Sequence, residues 1–210
     1  MLTNTPHFNV DRQTTNLSFP LGDPYPHEIA EFYIRGGVCW PITVERDDGH
    51  KDFEGFAIMA GQNIKTKQIT VFDQRAFVCI DNIVGENSVI EYPGLAPWLN
   101  ECWAKYFGEK FYWHQDWQLA KTYRLDVHRS KMVKPKPQFI EIEWANDEDI
   151  EVLIWKYVKM GRLVFQEGSD LDVALRSVKK GEKETLPPVH ALACLLAGIE
   201  RHPWRERKAA

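Results

Sequence analysis

The chain reads as an α/β domain: a mixed sheet that opens as an antiparallel meander and is flanked by helices. Three observations lead there. Apolar, strand-like runs joined by short polar links crowd residues 31–83. A helical period takes over at residues 94–107, and short strands then alternate with helices. The composition, 44% hydrophobic and 27% charged over 210 residues, is that of a globular chain long enough to bury one good core. Residues 1–26 are polar and broken by prolines, and read as an extended arm, with the domain spanning 27–204 and a basic tail at 205–210.

Each element has its own signal. Glu31-Phe32-Tyr33-Ile34-Arg35 is a short strand that ends at Gly36-Gly37, and Val38 to Val44 extends it or forms a second one. Asp48-Gly49 marks a turn. Phe56 to Ala60 is a buried strand, Gly61-Gln62-Asn63 turns the chain, and Gln68 to Phe72 follows, continued by Ala76 to Ile83. Strands this close together pair antiparallel. Leu95, Trp98, Leu99, Cys102, Trp103 and Tyr106 recur at helical spacing and face inward, with Gly108 as the C-terminal cap. Lys110 to His114 is a strand, followed by a short helix near 117–125 and a basic loop from His128 to Pro137. Phe139 to Trp144 alternates with Glu141 and Glu143 as an edge strand whose carboxylates face away from the core.

The last third is mostly helical. Asn146 caps a helix carrying Ile150, Leu153, Ile154, Tyr157 and Val158, which Gly161 ends. Arg162 to Phe165 is a short strand. Ser169 caps the next helix, which Gly181 ends, and Pro187-Pro188 opens a final helix that Pro203 stops.

Several classes are disfavoured. The net charge of −4 gives no global basic signature, so contact with nucleic acid would need a local patch. Cys39, Cys79, Cys102 and Cys194 form no CxxC pair, which argues against a zinc ribbon or a disulfide framework and for a reducing compartment. No apolar run approaches a membrane span, and the opening MLTNTPHFNVDRQ has neither a basic n-region nor an apolar h-region. A cytoplasmic protein without membrane partners is the expectation. There is no GxxxxGK[ST] loop, so no packaging ATPase is encoded here.

Three strands, helix, strand, short helix, strand and then helices is the order of the RNase H-like fold. Asp149-Ile150-Glu151-Val152-Leu153, then Met160-Gly161-Arg162-Leu163-Val164-Phe165, then His190-Ala191-Leu192 resembles the end of phage large terminase nuclease domains. Phe56-Ala57-Ile58-Met59-Ala60 and Ile69-Thr70-Val71-Phe72-Asp73 resemble that family's second and third strands. The likeness spans about residues 31–202. It implies a metal-dependent DNA endonuclease using Mg2+ or Mn2+, with DNA and viral packaging or assembly proteins as partners. Two such ions, roughly 3.5–4 Å apart, stabilise the attacking and leaving oxygens of a phosphodiester. They need carboxylates converging from separate elements.

The resemblance carries over unevenly. Its fourth-strand acid matches Asp116. Its last-helix acid matches His190, a ligand better suited to softer metals. Its first-strand acid falls at or near Arg35, which cannot ligate. Asp116 and His190 are thus the candidate metal ligands, and Asp73 or Glu45 the candidate missing acid. Loss of the metal site, leaving a fold that binds without cutting, is the simpler account. Each residue also has a plainer role: Asp116 as a helix cap, Asp73 as a turn residue, and His114 and His190 as structural histidines. Arg35 either grips a phosphate or forms a buried ion pair with Asp116. Lys121, Arg124, Arg129, Lys131, Lys134 and Lys136, interleaved with Tyr123, form a basic stretch that suits phosphates or is simply a solvated loop.

Overall fold

A computed structural model describes residues 14–15, 31–45, 51–78, 80–84, 87–91, 94–114, 137–142, 148–178 and 186–204. Asp116, Asn146, Gly181, Cys79, the 117–125 segment, the basic stretch from Lys121 to Lys136 and the tail at 205–210 lie outside them.

The strands in chain order are β1 (Thr14–Thr15), β2 (Phe32–Glu45), β3 (Lys51–Asn63), β4 (Ile69–Val78), β5 (Ile80–Val84), β6 (Asn87–Glu91), β7 (Lys110–His114), β8 (Gln138–Ile142) and β9 (Leu163–Gln166). The helices are α1 (Leu95–Tyr106), between β6 and β7, α2 (Glu148–Lys159), before β9, then α3 (Asp170–Ser177) and α4 (Pro187–Arg201). The main sheet runs β1-β9-β4-β3-β2-β7-β8. Its β2–β3 and β3–β4 pairs are antiparallel, while β2–β7, β7–β8, β4–β9 and β1–β9 are parallel. An antiparallel meander continued on one side by two parallel strands makes this a mixed α/β fold, as the strand order leads one to expect.

Helices cover both faces. On one, Cys39, Phe56, Ile58, Ala60 and Phe165 pack against Ile154 of α2, Leu171 of α3 and Leu192 of α4. On the other, Val38, Trp40, Ala57, Met59 and Phe111 pack against Leu95, Trp98, Leu99 and Cys102 of α1. Neighbouring strand residues divide between the two clusters because successive side chains point to opposite faces. With both faces covered, the central strands read as unbroken apolar runs.

Gly36 and Gly37 do not end β2; they sit inside it, and the strand runs on to Glu45 with an irregularity between Cys39 and Ile42. Their role is close approach. A Cβ on Gly36 would collide with the Phe111 ring, and one on Gly37 with the Ala191 carbonyl of α4. Glycine in a strand interior marks such contacts as readily as a turn. Gly108 is likewise not the left-handed cap of α1. Phe107 takes that conformation at φ 54°, while Gly108 makes room for the Met59 side chain.

Other ends match their signals. Ser169 accepts from the Asp172 amide at the start of α3, Gly161 is left-handed at φ 62°, and Pro187 opens α4. The β5–β6 ladder, in which Val84 pairs with Asn87, was not anticipated. Neither was the pairing of Thr14 with Phe165, which ties part of the arm to the sheet edge.

Candidate functional site

Two ends of the α4-covered face hold the polar side chains that bear on function. In the parallel β2–β7 pair, Gly37 aligns with Tyr112, so Cys39 continues the register level with His114 at the end of β7. Antiparallel to β2, α4 brings His190 and Cys194 to this end, and the His114 backbone takes part in hydrogen bonding with the Cys194 thiol. All four are interior: Cys39 is fully buried, and Cys194, His114 and His190 are 1%, 2% and 8% exposed. Burial pushes the Cys39 thiol well up, with the neighbouring Cys194 adding to the shift. Burial raises Cys194 as well, partly offset by its hydrogen bonding.

Thiols and imidazoles suit soft or borderline metals, whereas Mg2+ and Mn2+ take oxygen ligands. The described donors at this end therefore do not fit the expected hard cations. Among the described residues, no three His, Cys, Asp or Glu side chains are grouped to hold a metal ion. Asp116, two residues beyond His114, lies outside them.

Asp73 is not brought to His190. It lies across the sheet from α4, where its charge raises the Cys102 and Tyr106 side chains of α1, each already pushed up by burial. Its Oδ1 accepts from the Gln74 amide at 2.8 Å, a local contact where β4 is irregular against β3. Glu141 points to that same side. It pairs with Trp113, one of its oxygens is sealed from solvent without a hydrogen-bond partner, and it is half-buried rather than solvated.

Arg35 lies at the opposite end of the α4-covered face. Tyr33, two residues earlier, donates its hydroxyl to the His202 carbonyl at 3.0 Å, just past the end of α4. From His190 to His202 the helix rises about 18 Å. Arg35 and His190 therefore belong to separate places, and the Arg35 position is not level with the end of β7. The guanidinium stacks on Tyr33, with Cζ 3.6 Å from the ring centroid, and Nη1 donates to the Ile34 carbonyl at 2.6 Å. Tyr112 lies beside it, fully buried and stacked on His202 at 5.7 Å. Burial pushes the Tyr112 phenol up, with the Arg35 charge opposing. Sequence reasoning singled out Arg35 but missed Tyr112 and Lys110. The available signal was the alternation of β7, which sets both on the face that Arg35 shares.

In comparisons with protein-family models, curated proteins and solved structures, none matches this chain.

Proposed function

We propose that this chain is a nucleic-acid-handling protein of RNase H-like architecture that binds DNA without cutting it. It is similar to a phage terminase nuclease domain whose metal site has been lost. One observation carries the reading. At the junction of β2, the end of β7 and the start of α4, the described side chains are Cys39, His114, His190 and Cys194, all buried and none an acid. A two-metal phosphodiesterase needs convergent carboxylates there. The resemblance keeps Asp116 alone unchanged, Asp73 lies on the other face of the sheet beside Cys102 and Tyr106, and the Glu45 side chain lies outside the described residues. The basic stretch from Lys121 to Lys136 supplies charge for backbone phosphates on a protein of net charge −4. Viral packaging or assembly proteins are the partners that fit the resemblance. The alternative is a surviving Mg2+- or Mn2+-dependent endonuclease built on Asp116.

The test is supercoiled plasmid incubated with Mg2+ or Mn2+, wild type beside Asp116→Ala, read for both retardation and nicking. Retardation without nicking by either protein is the expected result. Nicking by wild type that Asp116→Ala abolishes would restore the endonuclease.

A further inference from the structure

The N-terminal ends of β2 and β7 bring together two cations and a buried guanidinium nitrogen that lacks an acceptor. Gly37 faces Ala191 of α4, so Arg35, two residues earlier, shares that face. Tyr112 touches Gly198 of α4, so Lys110 shares it too. One step back from the Gly36–Phe111 pair, Arg35 and Lys110 are neighbours on parallel strands. Such strands lie about 4.8 Å apart. Both side chains are half-buried, and among the described residues neither has a carboxylate partner. Like charges set side by side repel unless an anion lies between them. The Arg35 Nε is also sealed from solvent with no hydrogen-bond partner, and the Tyr112 hydroxyl, equally sealed, lies between the Arg35 and Tyr33 side chains. A buried donor left unmatched is costly, and a half-buried cation without a counter-ion more so. Tyr33 and His202 close the outer side through the bond that joins them.

We infer that Arg35, Lys110 and Tyr112 form a phosphate-binding subsite, bounded on its outer side by the bond between Tyr33 and His202. A phosphate offers several acceptor oxygens to the guanidinium fork, the ammonium and the phenol at once. Lys67, on the turn before β4, lies at the same end and also lacks a carboxylate partner among the described residues. That surplus of cations favours a phosphate within a polyanion. The identification of that polyanion as nucleic acid rests on the proposed function; the subsite itself does not. It lies at the opposite end of α4 from His190, so it holds a strand away from the end where Asp116 follows β7.

Two measurements on the full chain separate the claims. The first is the melting temperature in inorganic phosphate against chloride of equal ionic strength, for wild type, Lys110→Ala and Tyr112→Phe. Lys110 is half-buried and Tyr112→Phe removes one oxygen, so both variants should fold. Phosphate is expected to raise the wild-type melting temperature, and both variants to lose that rise. The second is the salt dependence of binding to a labelled DNA duplex, where Lys110→Ala should lower the log–log slope by about one. A phosphate rise without a change in slope keeps the subsite and removes nucleic acid as its ligand. A slope change alone keeps it for phosphodiesters. If neither variant differs from wild type in either measurement, the subsite is overturned.

Discussion

Replacing Gly37 with alanine tests how α4 sits on the sheet. The added Cβ would overlap the Ala191 carbonyl and stand 2.9 Å from both the Cβ and the amide nitrogen of Leu195. The main obstacle is helix backbone, which cannot turn aside as a flexible side chain can. Relief requires α4 to lift from β2 by about 1 Å. A gap of that size forfeits about a quarter to a half of the dispersion attraction across it. Val189, Leu192, Leu195, Leu196 and Ile199 all bury themselves at this interface. Overpacking of this kind costs about 1–3 kcal/mol, and the upper end applies where backbone is the obstacle. At about 2–4 °C per kcal/mol for a chain of this size, the melting temperature should fall by about 6–12 °C. Gly168→Ala is the comparison: its φ of 71° strains a side chain, but no atom lies within 4 Å of the new Cβ. That costs only about 1–2 kcal/mol. Urea titration followed by circular dichroism reads both. A Gly37→Ala variant as stable as wild type, or more stable than Gly168→Ala, would refute the placement of α4.

Three further outcomes are expected. Asp172 is 3% exposed and accepts from the Gly168 amide at 2.8 Å and from Arg176 Nε at 2.6 Å, so Asp172→Ala should cost about 2–4 kcal/mol in urea titrations. Lys156→Ala, which removes an exposed contact to Glu200, should change the same titration by less than about 1 kcal/mol. Burial raises the thiols of Cys39, Cys102 and Cys194, so they stay protonated in the folded chain while the unfolded chain ionises near its ordinary 9.0. Their contribution is complete below that value and is lost as pH rises above it. Each thiol should steepen the loss by about 1.4 kcal/mol per pH unit, and Cys102→Ala should flatten the curve accordingly.

The sequence revealed most of the sheet because its signals were local. Lys110 to His114, built around the aromatic run Phe111-Tyr112-Trp113, is β7 with the same bounds, and Pro187 marks the start of α4. What it concealed was set by tertiary contact. Gly36-Gly37 looks like a turn until α4 and Phe111 are seen packed against it. The β5–β6 ladder was missed because the apolar run from Ala76 to Ile83 gives no sign that β4 stops at Val78. Gly85-Glu86, between two runs rich in β-branched residues, was the available hairpin signal. The level of Arg35 in the sheet is hidden for a related reason. Register against β7, which no single strand displays, puts Cys39 level with His114 instead. Asp73 looked like an acid leaving a strand, yet the face it occupies is fixed by an irregularity in the β3–β4 pairing that its own residues do not announce.

The central claim is that this chain holds DNA through phosphate contacts, and affinity for a labelled duplex measured from low to high salt tests it most directly. Measurable binding at low salt is expected, with log affinity falling linearly against log salt and a slope of several units. Absence of binding at low salt, or an affinity indifferent to salt, would contradict it.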